Sequence, residues 1–497
     1  MQAARARKDV TPTVAVVGGG ISGLAAAWEL SSYKPKPRVV LLEADRRLGG
    51  KIRSGTIAGH QVDLGPDAFV ARREEATSLC RELGIDDELV SPGALGAFVW
   101  ARGRLRPLPG SLAVGVPTRL GDLARSGILG PAGVLRASLD LLGPLGPRWP
   151  ACSPDVALGS EGPGFVSASS DDCAVGEIVG SRLGGQVVRR LADPLIGGIH
   201  AGPVSTMSAG AVFPSLLHAR NRPGGLMRAL RNPEPDERVR PTPAPVFLAP
   251  RSGMERIVEA LAEKLGERDV DLRTNVEVMN VEDAGGRWTL GLRGATVDAD
   301  GLVLAVPASR CADLVNGSLP ELSKLLAPIE YSSVALATMA FDESTLRLLD
   351  GTGFLVPAEQ GAILTACTWM TSKWPHLRRP GEVLIRTSCG RFGDDRFSRL
   401  SDDHLVQRMV DELRPVLGLQ NGPTDVNLTR WNEAFPQYRV GHPRLVQAIE
   451  HLCREGSAPV SLAGAAYHGV GIPACIGSGR RAASAVMERL RNDQALL

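Results

Sequence analysis

The sequence has no C-x-x-C pair, no apolar run of the roughly 18 residues a membrane span requires, and no long block of like charge. Its cysteines, Cys80, Cys152, Cys173, Cys311, Cys367, Cys389, Cys453 and Cys475, are scattered singly. That pattern argues against a zinc site or a disulfide framework and predicts reduced thiols, no metal and a cytoplasmic location. With 56 basic and 54 acidic residues, the formal charge of +2 gives no reason to expect a nucleic-acid partner. The first ten residues, MQAARARKDV, are basic but lack the apolar core of a signal peptide, so export is not expected. The nearest approach to a span, ILGPAGVLRASLDLLGPLG from Ile128, is broken by Pro131, Arg136, Asp140 and Pro144. Buried core is its expected place, and membrane contact, if any, would be peripheral.

What is present is an ordinary globular composition, 43% hydrophobic and 22% charged, on a chain of 497 residues. That length accommodates two or three domains. Residues 13–17 read as a short apolar strand, GLAAAWELSS from Gly23 as a helix, and RVVLLE (38–43) as a second strand ending in an acid. Together they form one βαβ unit. Two stretches rich in Pro, Gly and Ser or lacking periodicity, 145–171 and 232–245, read as loops. Between them, VGEIVGSRLGGQVVRRLADPLIGGI has helical spacing. From Arg251 the pattern is helix, strand, strand, followed by strands WTLGL and DGLVLAVPA. The chain closes with strand VSLAGAA, a glycine-rich turn and helix SGRRAASAVMERLRN.

Gly18, Gly20 and Gly23 stand in G-x-G-x-x-G register between that first strand and helix. The first glycine allows the tight turn, the second lets the backbone approach a pyrophosphate, and the third permits close helix–strand packing. The helix N-terminus then offers N–H donors to the anion. Glu43 closes the second strand, where a carboxylate accepts ribose hydroxyls. A glycine-rich structural turn is the plain alternative, but strand, helix and acid all stand in the right places for a dinucleotide.

LEADRRLGG, Leu48-Gly49-Gly50-Lys51-Ile52-Arg53 and Asp63-Leu64-Gly65-Pro66-Asp67 then resemble the opening of the amine-oxidase-like flavoproteins. Far along the chain, Gly464 to Pro473 (GAAYHGVGIP) resembles the G-x-x-Y-x-G-V-x-I signature of the FAD-dependent porphyrinogen oxidases, which aromatise protoporphyrinogen or coproporphyrinogen. Residues 192–214, 247–261 and 430–442 are similar to the same family, so the resemblance covers nearly the whole chain, with 145–171 as its main interruption. It implies an α/β (α+β multidomain) fold, with a Rossmann-like FAD-binding domain, a mixed-sheet substrate domain and a helical insertion. The expected segments are 11–72, 225–300 and 425–497 for FAD, 73–90, 205–224 and 301–424 for substrate, and 91–204 for the helices.

The resemblance implies FAD contacts at Gly18, Gly19, Gly20, Ile21, Ser22, Gly23, Glu43, Ala44, Gly50, Lys51, Gly65, Pro66, Asp67 and Ala68. It adds a backbone contact to the adenine at Val276, and flavin-end contacts at Trp431, Ala465, Val470, Gly471 and Ile472. Leu355 and Trp374 align with ring-contacting positions, and Lys373, Arg104 and Arg106 are candidate cations for propionates, with solvated surface charge as the plain alternative for each. The implied reaction removes six electrons in three hydride transfers, with dioxygen as acceptor and hydrogen peroxide as product. His468, in the signature turn, is a tempting base, and His200 and His376 weaker ones. No catalytic acid or base is assigned.

The protoporphyrinogen branch has an arginine just before the FVW-like strand, where this chain has Ala97. CTWMTSKWPH (367–376) looks more like the soluble bacterial branch acting on coproporphyrinogen III. A transient product handover to a ferrochelatase is a further implication. Amine oxidases and carotenoid desaturases share the scaffold, but only four tyrosines are available for an amine oxidase's aromatic cage. A non-catalytic escort-type protein shares it too, without FAD.

Overall fold

Val14 and Val16 point into one apolar layer, Ala15 and Val17 into another, so the strand Thr13–Val17 is packed on both faces. The computed structural model describes residues 11–496 apart from 95, 151, 153–171, 221, 223, 233–244 and 347–349. In it this strand is the centre of a five-stranded parallel sheet. The order is Asp271–Arg273, Arg38–Leu42, Thr13–Val17, Gly301–Leu304, Val460–Leu462. Because all five strands run the same way, the loops that leave Val17 and Leu42 emerge at one edge, where such sheets bind ligands.

One face of this sheet is covered by the helices Ile21–Leu30, Glu255–Glu267 and Ile472–Leu496. The last of these passes very close to the first: a Cβ on Gly479 would fall 2.0 Å from the carbonyl oxygen of Ser22. That contact brings the start of the C-terminal helix beside the glycine loop. The other face carries a three-stranded antiparallel sheet, residues 280–299, and the helices Ala308–Val315, Pro320–Leu326 and His442–Glu455.

A second, mixed sheet has seven strands, in the order Asp425–Pro436, Tyr331–Asp342, Glu382–Cys389, Leu364–Trp369, Gly353–Leu355, Phe98–Ala101, Arg104–Pro107. Only the pair Gly353–Leu355 and Phe98–Ala101 is parallel. The helix Asp402–Leu417 packs on one face with Val383 and Ile385, whereas Leu384 and Ala340 join the core beneath the parallel sheet. Alternation along Glu382–Cys389 therefore turns Arg386 toward the first domain. The remaining helices, from Leu120 to Arg231, enclose their own core around Val179, Leu191 and Leu216.

Several expectations need correction. Gly301–Leu304 pairs with Thr13–Val17, so the expected boundary at 300 falls one strand short. Asp425–Pro436 belongs to the mixed sheet, and Leu226–Arg231 packs with the helices. Pairing across nearly 290 residues leaves no local trace in composition. The helical run from Val175 is interrupted at Gly184 and continues with widened turns over Val188–Gly197, which accommodate Pro194. The C-terminal helix begins at Ile472, earlier than its expected start at Ser478.

The apolar stretch from Ile128 is only partly core. Ile128, Leu129 and Ala137 are buried, but Leu135, Leu139, Leu141, Leu142 and Leu145 are exposed. Cys152 and Cys173, expected as separate thiols, form a disulfide with Cα atoms 5.0 Å apart. Their pairing depends on where the chain returns in space, which spacing does not reveal. The other six thiols are buried. The first ten residues and most of the expected loops 145–171 and 232–245 lie outside the described residues. Among the described residues, no helix is long and apolar enough to cross a membrane, and no cluster of three or more His, Cys, Asp or Glu could hold a metal.

Candidate functional site

The three glycines of the first loop differ in what surrounds them. Gly18 has a φ of +105°, and a Cβ there would lie 2.7 Å from the carbonyl oxygen of Ala305. At Gly23 it would lie 1.9 Å from the carbonyl oxygen of Gly18. Gly20 is the opposite case. Its φ and ψ, −70° and 174°, suit any residue, and a Cβ would meet no protein atom within 4 Å. Protein packing thus demands glycine at 18 and 23, whereas position 20 faces open space.

Gly20 is the N-cap of the helix Ile21–Leu30, whose end has no side-chain cap and no acid in its first turn. Its N-terminal dipole accordingly lacks an internal anion. Glu43 stands beside it. One carboxylate oxygen accepts the Gly19 N–H at 2.5 Å and the other the Asp45 N–H at 2.8 Å, and both keep acceptor capacity. Gly50 approaches from the second glycine pair, its Cβ position 3.3 Å from the Gly20 Cα. Open cradle, uncapped helix and acid fit the pyrophosphate and ribose of FAD. The Val276 N–H is donated to the Glu43 carbonyl at 2.9 Å, so only the Val276 carbonyl is left for an adenine.

Arg47, not singled out from the sequence, fixes that second turn. Its guanidinium donates to the carbonyls of Leu48, Gly50 and Ile52 at 2.8, 2.6 and 3.2 Å and pairs with Glu255 at 3.3 Å. Lys51 extends to the Glu433 carbonyl at 3.0 Å.

The Asp63–Asp67 turn is gripped from the mixed sheet. The indole N–H of Trp431 donates to the Leu64 carbonyl at 2.8 Å. Buried Arg386 donates to the carbonyls of Asp63 and Gly65, the latter at 3.2 Å, and lies 3.9 Å from the Asp67 carboxylate. Lys373 and the Trp374 indole both donate to one oxygen of Asp67, at 2.8 and 3.2 Å. Burial alone would raise the Asp67 pKa, but Lys373 and Arg386 hold it below the usual carboxylate range.

Trp374 is 3% exposed, and Lys373 is ion-paired with Asp67. Arg104 and Arg106 lie on the seventh strand, six spacings or roughly 29 Å of sheet from the strand of Trp431. Leu355, half-buried, sits between them on the fifth strand.

Burial pushes the Asp63 carboxyl up to about 6, against Arg386, the Met254 N–H and the Ser54 hydroxyl. Between about pH 4 and pH 6 the folded chain therefore holds a proton that the unfolded chain has released, and stability falls as pH rises through that window. Asp63→Asn can keep both acceptor bonds, from Met254 at 2.8 Å and Ser54 at 3.0 Å, without the charge. We expect Asp63→Asn to gain up to about 3 kcal/mol over wild type between pH 3.5 and pH 7. Urea titration of the apoprotein at both pH values measures it, and parallel curves would refute it.

At the far turn, Ala465 and Val470 are half-buried, Gly471 is exposed and Ile472 opens the C-terminal helix. His468 points away and pairs with Glu450 at 2.6 Å. Burial pushes His200 down to about 4, and its Nδ1 has no hydrogen-bond partner. His376 lies exposed beside Trp374, ring centroids 5.9 Å apart. Arg73, also not singled out from the sequence, places a guanidinium nitrogen 3.5 Å from the Cβ position of Gly469.

Comparison with known proteins gives the same picture from end to end. Residues 21–487 match the family described as flavin containing amine oxidoreductase. A coproporphyrinogen III oxidase of Mycobacterium bovis is 33% identical over 483 residues, covering 96% of this chain and 97% of its own. The human protoporphyrinogen oxidase is 29% identical, covering 96% and 98%. A crystal structure from Exiguobacterium sp. 255-15 superposes with a TM-score of 0.82 at 30% identity, covering 96% of this chain and 99% of that one.

Proposed function

The chain belongs to the flavin-containing amine oxidoreductases, and from that premise we propose that it is an FAD-dependent oxidase converting coproporphyrinogen III to coproporphyrin III in haem biosynthesis. The end-to-end likeness to coproporphyrinogen III oxidases carries this reading. Bound FAD supplies a two-electron acceptor, used three times for each six-electron aromatisation.

The chain's own residues bind and orient. The open face of Gly20 and the uncapped helix end hold the pyrophosphate, and Glu43 the ribose hydroxyls. The Asp63–Asp67 and Ala465–Ile472 turns are the segments that would hold the flavin end of bound FAD. Arg386, Trp431 and Lys373 keep the first of these turns rigid, so little reorganisation is needed when substrate arrives. Lys373 is paired with Asp67; Arg73, paired through its Nε with Glu75 at 3.8 Å, offers its Nη1 to a substrate carboxylate near the far turn. His468 is not assigned as a base.

In this reading dioxygen is the acceptor, the enzyme works in the cytoplasm, and product passes to a ferrochelatase by transient contact. Leu135, Leu139, Leu141, Leu142 and Leu145, all exposed, are the surface offered to a peripheral membrane contact. The test uses coproporphyrinogen III and protoporphyrinogen IX prepared anaerobically, with porphyrin fluorescence followed in air. Faster turnover of coproporphyrinogen is expected. Faster turnover of protoporphyrinogen overturns the substrate assignment, and no acceleration of either overturns the oxidase.

A further inference from the structure

Tyr438 is buried at 3% exposure, and its hydroxyl touches both ends of the far turn. It accepts the Gly469 N–H at 2.8 Å and donates to the Ala465 carbonyl. One oxygen thus closes the five-residue arc from Ala465 to Gly469 that leads into Val470, Gly471 and the C-terminal helix. Burial raises the phenol's pKa far above its usual value, so the donor is present at every working pH.

The ring is fixed as firmly as the hydroxyl. It stacks on His442 with centroids 4.1 Å apart and 14° between planes, and His200 lies 5.7 Å away. The surrounding segment is tied to the helical part: the Tyr438 carbonyl accepts the Ser208 N–H at 2.8 Å, Gln437 donates to the His200 carbonyl at 3.1 Å, and the Gly441 N–H is donated to Asp172 at 2.8 Å. The turn is therefore held from a rigid base that spans two parts of the molecule.

We propose that Tyr438 is a positioning residue for oxidation: its hydroxyl sets the path of the Ala465–Ile472 backbone against the flavin end of the cofactor. The inference rests on the functional reading above and adds the residue that fixes the far turn. Without the hydroxyl, a half-buried N–H and a half-buried carbonyl lose their partner, and the turn relaxes toward other ways of satisfying them. Small displacements at a reacting centre cost rate out of proportion to stability.

The test is Tyr438→Phe in the holoenzyme, which keeps the ring and its stack, with Tyr33→Phe as control. Tyr33 makes a hydroxyl contact to Ser484 at 3.1 Å, remote from both turns. Flavin reduction in anaerobic single turnover should slow roughly 10- to 100-fold in Tyr438→Phe. The flavin absorption bands and two-electron potential should shift as well. Tyr33→Phe should match wild type in all three.

A folded, flavin-loaded Tyr438→Phe with wild-type reduction rate, spectrum and potential overturns the proposal, whatever its melting temperature. If the variant does not fold, 3,5-difluorotyrosine placed at 438 keeps shape and both bonds while strengthening donation. An unchanged spectrum and potential there overturns it equally. Wild-type protein that holds no flavin or oxidises no porphyrinogen overturns the functional reading instead, so the two failures are distinguishable.

Discussion

Gly20→Val is expected to give a folded, colourless protein. The backbone at Gly20 already has the extended conformation that valine prefers, and no protein atom lies within 4 Å of its Cβ position. The apoprotein should therefore melt within about 2 °C of wild-type apoprotein, as an ordinary surface change would. The added methyls occupy the approach of the pyrophosphate. FAD affinity should fall on the order of 100-fold or more, the scale of an unrelieved steric overlap. Flavin released on denaturation, measured per chain by absorbance, reads the result. Full flavin occupancy would mean that the open space in front of Gly20 serves something else. Gly23→Val is the contrasting variant. Its Cβ would sit 1.9 Å from the Gly18 carbonyl oxygen, so the loop itself must move and the apoprotein should lose stability as well.

Arg386→Met is expected to cost both stability and cofactor. Arg386 is 7% exposed, and its guanidinium supports the carbonyls of Asp63 and Gly65. Methionine fills much of the same volume but leaves two buried carbonyls without that donor. It also leaves Asp67, held low by Lys373 and Arg386, with Lys373 alone. Breaking a buried charge cluster in this way costs roughly 3–5 kcal/mol. The loss should show in urea titration of the apoprotein at pH 7. Because the Asp67 carboxylate contributes stability above its unfolded pKa and loses it as pH falls, the difference between variant and wild type should narrow toward pH 3. A difference that is independent of pH would mean that Arg386 acts only through the two carbonyls.

The cofactor end was legible because its chemistry is local. A tight turn, an uncapped helix end and an acid closing the next strand must lie close together in sequence, and Gly18 to Gly23 and Glu43 do. The partners of those groups were not legible. Arg386 stands in the apolar strand EVLIRTSC, and a lone arginine among residues facing a core is itself a signal of a buried partner. Nothing in the strand says that the partner is a turn some 320 residues earlier. Lys373 and Trp374 read as substrate contacts because their motif was similar to a substrate-side segment. Both also donate to Asp67, which belongs to a turn assigned to the cofactor. Tyr438 escaped notice because it lies inside 430–442, a stretch read as a whole, and Arg73 because it lies outside every motif; only the fold shows which atom each addresses.

By itself the sequence determined the nucleotide-binding unit, the flavin class and the order of the family's motifs, because each depends on residue types at short, fixed spacings. Only the tertiary structure decided that Gly301–Leu304 completes the parallel sheet, that Cys152 and Cys173 meet, that five leucines after Ile128 face outward, and that one oxygen of Asp67 receives both Lys373 and Trp374. Those outcomes depend on which distant segments share a core. Strand pairing, buried charge compensation and hydrogen bonds across hundreds of residues are satisfied only once the chain has closed on itself.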